Sequence, residues 1–308
     1  MDSAKHRFQG CLLGLALGDA VNAPFEGGVL ERLLWRLIGR TKAGEMRWTD
    51  DTQMSIDVLE SLVVRGSVDP DDLAARFAGS YRWTRGYGPG TAKVLARISR
   101  GEHWERANTA GHRDGSFGNG AAMRAPMIGL FYAERTAEID DAARRSAIVT
   151  HSHSLGIDGA VLIARATAAA FRAESSSEVL RIASDYCHNS AMSARLQIAK
   201  GWLMSRSDVT PAEVARNLGN GISAVDSCVT ALYLALRFRE AGFIELQKMV
   251  ATIRGDADTI GAMAGAIWGA ANGILAIPQS LLQQLEQRER LMSLAEVLCQ
   301  RATLSRTA

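Results

Sequence analysis

Apolar residues recur along this chain at spacings of three and four, and period-two alternation is nearly absent. That rhythm belongs to helices with one buried face. Leu33, Leu34, Leu37 and Ile38 show it locally. The pattern predicts helices over 29–38, 52–64, 71–83, 142–149, 155–171, 212–218, 225–238 and 243–253. Start signals precede several of them. Asp69 stands before Pro70, a cap residue ahead of a proline at the first helical position. Thr210 to Glu213 and Ser293 to Glu296 have the spacing of capping boxes.

Two apolar runs need a decision. The run 11–17 follows Lys5, His6 and Arg7 and is closed by Asp19 with no small-residue cleavage site. It reads as a first core helix ending near Val21, not as a secretory leader. Residues 260–277 are uncharged and reach the length of a membrane span. They are mostly Gly and Ala, however, with Asn272 inside and Asp256 and Asp258 at the start. Gly261, Gly265, Gly269 and Gly273 line one helix face, where a second backbone can come close. We read a buried helix. No low-complexity linker or fixed-period repeat divides the chain. The expected fold is all-α: a single multi-helix domain over residues 1–308, with about a dozen helices and a site in the loops between them.

Composition narrows the function. Of 308 residues, 35 are Lys or Arg and 33 Asp or Glu, so the formal net charge is +2. No strong field directs such a protein to nucleic acid or to an acidic membrane, and neither is an expected partner. Cys11, Cys187, Cys228 and Cys299 are far apart with no C-x-x-C pair. Neither a disulfide framework nor a thiolate zinc site is expected, and a reducing cytoplasm fits.

The candidate chemistry lies in five places. Trp48-Thr-Asp-Asp-Thr-Gln-Met54 sets two adjacent carboxylates at a helix start, where they can cap the helix or bind a cation. Arg254-Gly-Asp-Ala-Asp-Thr259 does the same ahead of an uncharged helix whose start is buried on this reading. Buried carboxylates repel unless cations or protons compensate. Thr49, Asp50, Asp51, Asp256, Asp258 and Thr259 together form an all-oxygen set suited to Mg²⁺ or Mn²⁺. Two such clusters can hold two ions about 3.5–4 Å apart. Glu26, after Gly18-Asp-Ala20 and Pro24-Phe25, is a third carboxylate source on a loop. Gly115-Ser-Phe-Gly-Asn-Gly-Ala-Ala-Met-Arg124 is either a ligand-approaching backbone followed by a phosphate-facing helix start or an ordinary flexible loop. Thr150-His-Ser-His-Ser154 suggests zinc by its H-x-H pair, but it lacks a third His or a Cys, so a structural or substrate-contacting histidine is the better reading.

In chain order, G-D-A, P-F-E, T-D-D-T-Q-M, G-Y-G-P-G, G-S-F-G-N-G-A-A-M-R, T-H-S-H and G-D-A-D-T-I-G-A-M-A-G-A resemble the ADP-ribosylglycohydrolase family, from about Gly10 to Gly273. The family includes the dinitrogenase-reductase-activating glycohydrolase and the ADP-ribosylarginine and ADP-ribosylserine hydrolases. The resemblance implies an all-α fold with two divalent cations, Mg²⁺ or Mn²⁺, ligated by Thr49, Asp50, Asp51, Asp256, Asp258 and Thr259. It implies catalytic roles for Glu26, Asp51 and Asp256. It places Glu26, Gly88, Gly90, Ser116, Phe117, Gly118, Asn119, Gly120 and His151 at the substrate, an ADP-ribosylated protein or ADP-ribose conjugate. The implied reaction is hydrolysis of the glycosidic bond to ADP-ribose, through an oxocarbenium-like transition state. The loops 115–120 and 151–156 resemble the serine and poly(ADP-ribose) branch. Val21-Asn22 departs from the Leu-Gly of many members. An arginine-specific hydrolase, a non-catalytic ADP-ribose-binding relative and a histidine-based zinc hydrolase are the alternatives.

Overall fold

The helices expected from the apolar pattern all form, with ends within about three residues of those read from the period. The computed structural model describes residues 2–185, 187, 189–205 and 208–305. In the first half, the helices are α1 (Asp2–Asn22), α2 (Val29–Ile38), α3 (Asp50–Arg65), α4 (Pro70–Ser80), α5 (Pro89–Ile98), α6 (Trp104–Ala107), α7 (Ala125–Phe131) and α8 (Ile139–Ala147). In the second half, they are α9 (Ser154–Phe171), α10 (Ser176–Ser184), α11 (Ser190–Ser205), α12 (Pro211–Asn217), α13 (Ala224–Arg237), α14 (Phe243–Ile253), α15 (Ala257–Asn272), α16 (Gln279–Leu282) and α17 (Arg288–Leu304). Short 3₁₀ turns link some of them, and three isolated β-bridges are the only extended pairing among the described residues.

Asp69 caps α4 by accepting the N–H groups of Asp71 and Asp72, and Thr210 and Glu213 form a reciprocal capping box at α12. The second expected box does not form. Ser293 lies inside α17, which begins at Arg288, and its hydroxyl donates back to the Glu289 carbonyl at 3.0 Å. A capping spacing caps only where the chain enters the helix, and here the helix has already begun.

The most extensive helix pair is α1 with α15. The glycine face of α15 meets a second glycine row on α1: Gly18 lies against Gly261, Gly14 against Gly265 and Gly10 against Gly269. A Cβ on any of these six would come closer than 3.0 Å to backbone or side-chain atoms of the partner. The helices are antiparallel, so the end of α1 stands beside the start of α15. Asn22 braces this end by donating to the Gly18 carbonyl at 2.8 Å and to the Gln247 side chain at 2.7 Å. α9 runs through the middle, against α7, α8, α10, α13 and α15. It is long and apolar enough to cross a membrane, but 78% of it is buried inside the protein. α17 closes on α1 and α3. The ends of α1 and the starts of α3 and α15 thereby meet at one place.

Candidate active site

The first turn of α3 is capped from two sides. The Thr49 hydroxyl accepts the N–H of Asp51 at 3.2 Å. The buried carboxylate of Asp19, near the end of α1, accepts the N–H of Thr49 at 2.9 Å, that of Thr52 at 3.1 Å, and the Thr52 hydroxyl at 2.5 Å. Asp19 therefore does the capping that Asp50 and Asp51 would otherwise supply. Asp51 is left with one buried carboxylate oxygen, Oδ2, that has no partner, while its Oδ1 accepts the Thr259 hydroxyl at 3.4 Å. That contact joins the two acidic motifs across the chain. Arg85 fixes the entry to the turn. It donates to the Trp48 carbonyl at 2.6 Å, pairs in bidentate fashion with Glu286 at 2.7 and 2.8 Å, and stacks on the Trp48 ring at 3.5 Å.

On the other side, Arg254 and Gly255 take positive φ values of 61° and 77° to turn the chain into α15. The N–H of Asp256 donates to the Asn220 carbonyl at 2.9 Å, and the Asp256 carboxylate accepts the Asn119 side-chain amide. The N–H of Thr259 donates to Asp258 at 2.8 Å. Gly27 donates to the Gly255 carbonyl at 3.4 Å, which ties the Glu26 loop to this turn. Glu26, Asp256 and Asp258 each bring a carboxylate oxygen within 4.8 Å of the others, and the Glu26 and Asp258 carboxyls share a hydrogen bond.

These acids resist carrying charge together. Burial, then the neighbouring acids, raise Asp50, Asp51 and Asp258 well above the usual carboxylate range. Burial also raises Asp256, and it pushes Asp19 up to about 6 against the hydrogen bonds from Thr49 and Thr52. An all-oxygen cluster of mutually repelling carboxylates, one with a buried unpartnered oxygen, fits hard divalent cations. The centre could hold metal ions.

The glycine loop forms the wall next to it. Its backbone is fixed by hydrogen bonds from Asn119 to the Ile222 carbonyl at 3.0 Å and from Ala224 to the Phe117 carbonyl at 3.1 Å. The Ser116 hydroxyl accepts the Gly118 N–H at 3.3 Å. Arg124, fully buried on the Phe77 ring, donates to the Gly120 carbonyl at 2.8 Å, the Ser146 carbonyl at 2.8 Å and the Thr150 hydroxyl at 3.0 Å. A helix follows the motif, as expected, but not directly after the glycines. A 3₁₀ turn, Asn119–Ala121, comes next, and α7 begins only at Ala125.

His151 lies beneath this loop. A Cβ on Gly120 would come within 2.6 Å of its ring. Burial, with Arg124 nearby, lowers its pKa to about 3, so it is neutral at physiological pH and is not a proton donor there. His153 accepts the N–H of Leu155 and caps α9. The H-x-H pair therefore serves two structural tasks rather than one metal. Phe117 is 41% exposed, with His112 and His153 rings at 5.5 and 6.0 Å. Gly88 opens α5, and Gly90 packs on Gly111 instead of facing the acids. The glycine of that stretch nearest the centre is Gly86, where a Cβ would lie 3.8 Å from Asp50.

The sequence reading quoted Asp19 and Gly86 in their motifs without giving either a task, and it passed over Arg85, Glu286 and His112. For Asp19 a signal existed: it is the lone acid closing an apolar helix.

Helix ends and loops gather Glu26, Asp50, Asp51, Asp256 and Asp258 beside a glycine-rich wall into an acidic centre of a kind that hydrolases use. Residues 1–308 match the family model for ADP-ribosylglycohydrolase, and the chain belongs to that family. It is 34% identical to the ADP-ribosylhydrolase ARH3 of Homo sapiens, over 95% of this chain and 92% of that one. An uncharacterized protein of Archaeoglobus fulgidus is 35% identical, with 96% of each chain covered. A solved ADP-ribosylglycohydrolase-related protein complex superposes with a TM-score of 0.72 at 26% identity, covering 98% of this chain and 100% of that one.

Proposed function

We propose that this ADP-ribosyl hydrolase reverses ADP-ribosylation at O-linked sites, with two divalent cations, Mg²⁺ or Mn²⁺, in its acidic centre. The cation ligands in this reading are Thr49, Asp50, Asp51, Asp256, Asp258 and Thr259. The observation that carries it is the convergence of Glu26, Asp256 and Asp258 within 4.8 Å, beside the unpartnered oxygen of Asp51. Bound there, divalent cations supply positive charge for the ribose hydroxyls and acidify a water.

The rest of the reading concerns the chain's own groups. Glu26 takes a proton from the attacking water as it adds and gives a proton to the leaving oxygen as the bond breaks. Water adds to the anomeric carbon, the glycosidic bond breaks, and the products are ADP-ribose and the free hydroxyl. Asp51 and Asp256 hold the centre's negative charge against the oxocarbenium-like carbon. The loop residues Ser116, Gly118, Asn119 and Gly120 line the place of the diphosphate and ribose in this reading, and exposed Phe117 offers its ring to the base. His151 supports the loop from below.

The O-linked assignment rests on loops 115–120 and 151–156, which resemble the ADP-ribosylserine branch. A cytoplasmic setting is part of the proposal, supported by the free thiols of Cys11 and Cys228 in the core. The test compares initial rates on serine-linked and arginine-linked ADP-ribosyl peptides at equal enzyme. Faster serine-linked release is the expected result. Robust arginine-linked hydrolysis with no O-linked turnover refutes the linkage.

A further inference from the structure

α2 directly follows the Glu26 loop, and its packing runs against the usual rule. An amphipathic helix turns its apolar stripe inward. Here Val29 is 72% exposed, Leu33 54%, Leu34 50% and Leu37 77%. At 100° per residue these four lie within about 140° of one another on a single face. The buried residue of α2 is Trp35, 8% exposed, which lies on the side of the helix opposite that stripe. α2 packs chiefly on the turn Ala23–Phe25, where Phe25 is also exposed. The far end of α2 is held by Arg47, which donates to the Ile38 carbonyl at 2.7 Å. The helix is thus pinned at both ends with its most apolar face to solvent.

We propose that this face docks the polypeptide of the modified protein, through an apolar, acidic segment beside the ADP-ribosylated residue. The inference rests on the ADP-ribosyl hydrolase reading. Three observations select this occupant over a second copy of the chain. The face belongs to the helix that starts three positions after Glu26, next in the chain to the acidic centre that the modified residue must reach. Its exposed area is on the order of 400 Å², about half of what each partner contributes to a standard stable interface, which suits a short segment rather than a dimer. One flank, on the Val29 side, is basic: Arg32 and Arg36 lie there, neither forms an ion pair among the described residues, and Arg40 follows, while Glu31 stands beyond the other edge. Cations beside an apolar strip complement an acidic, apolar peptide.

The test uses three substrates with the full-length enzyme: an ADP-ribosylserine peptide flanked by Leu and Asp, the same peptide flanked by Gly and Lys, and ADP-ribosylserine itself. Arginine-linked counterparts run in parallel. The wild type should show a kcat/KM about tenfold higher on the Leu/Asp peptide than on the Gly/Lys peptide, a difference worth about 1.4 kcal/mol. Leu33→Ser with Leu37→Ser should erase that preference and leave the rate on ADP-ribosylserine unchanged. Both residues are exposed, so the fold tolerates the change, and a Leu33→Met variant should retain the preference. An equal flank preference in the double Ser variant overturns the proposal. So does an equal loss on all three substrates, which makes α2 a carrier of Glu26 only. A wild-type dimer that the variant splits into monomers also overturns it, because a second copy then covers the face. Failure on serine-linked substrates alone refutes the linkage reading, while the arginine-linked pair still reports the flank preference.

Discussion

Asp51 has a buried carboxylate oxygen with no partner, and Asp256 shares its neighbourhood with Glu26 and Asp258. Buried polar atoms in native proteins are almost always satisfied, and among these repelling acids a cation is the partner that an unpaired carboxylate oxygen would take. Asp256→Asn keeps the side-chain shape and removes one charge. Activity should fall by about a hundredfold or more if that charge supports the transition state. Metal-free protein should unfold at a higher temperature than the wild type, because one of several repelling buried carboxylates is gone. Wild-type turnover with Mg²⁺ present would remove Asp256 from the centre. Phe117→Ala should weaken ADP-ribose binding by about 1–3 kcal/mol if the ring stacks on the base. Calorimetry reads this directly, and unchanged affinity would assign the ring only to its contacts with His112 and His153. At this scale the acidic residues were legible because adjacent carboxylates at helix starts are chemically conspicuous. Asp19 was not, because its task depends on Thr49 and Thr52, 30 and 33 positions away. Gly86 was not distinguished from Gly88 and Gly90, because only the folded backbone shows which one faces Asp50.

The element that matters most is the α1–α15 pair. Its paired glycine rows set how closely the two helices approach, and hence where Asp19 and Asp256 stand. Gly14→Ala would place a Cβ against the Gly265 carbonyl, a backbone atom that cannot rotate away. Overpacking of this kind costs about 1–3 kcal/mol. Chemical denaturation should show that loss, with reduced activity as the acidic centre opens. Unchanged stability would mean that the helices part without cost. The glycine row on α15 was readable from its four-residue period. Its partner row was masked by the leucines that made 11–17 look like an ordinary core helix. Helix spans were legible wherever one face is apolar. The Ser293 spacing misled because a capping motif has no meaning apart from the helix boundary, which packing decides.

At the scale of the whole molecule, the site joins residues more than 200 positions apart, as in the Thr259–Asp51 contact. No spacing in the sequence predicts that meeting. The family resemblance supplied it, and the fold explains it. The burial that builds the site also sets its pH response. Asp19 is raised to about 6 and Asp57, buried beside Ser80, to about 7, with Asp50, Asp51 and Asp258 raised as well. An acid whose folded pKa exceeds its unfolded value binds more protons when folded. Stability therefore falls as pH rises from the ordinary carboxyl range near ~4 through the raised values. Metal-free protein should melt at a higher temperature at pH 5.5 than at pH 8. Adding Mg²⁺ at pH 8 should recover the loss, by about 2.7 kcal/mol at a hundredfold excess over Kd. Thermal melts with and without chelator read both effects, and a metal-free protein most stable at pH 8 would contradict the charge assignment.

The central claim is that the acidic centre, loaded with divalent cations, hydrolyses the bond between ADP-ribose and its acceptor. The most direct measurement is the initial rate of ADP-ribose release from a serine-linked peptide by chelator-treated protein as Mg²⁺ or Mn²⁺ is titrated back. The account predicts release that is abolished by chelation and restored by either cation, with Asp256→Asn unresponsive throughout. Undiminished release in the presence of chelator would contradict it.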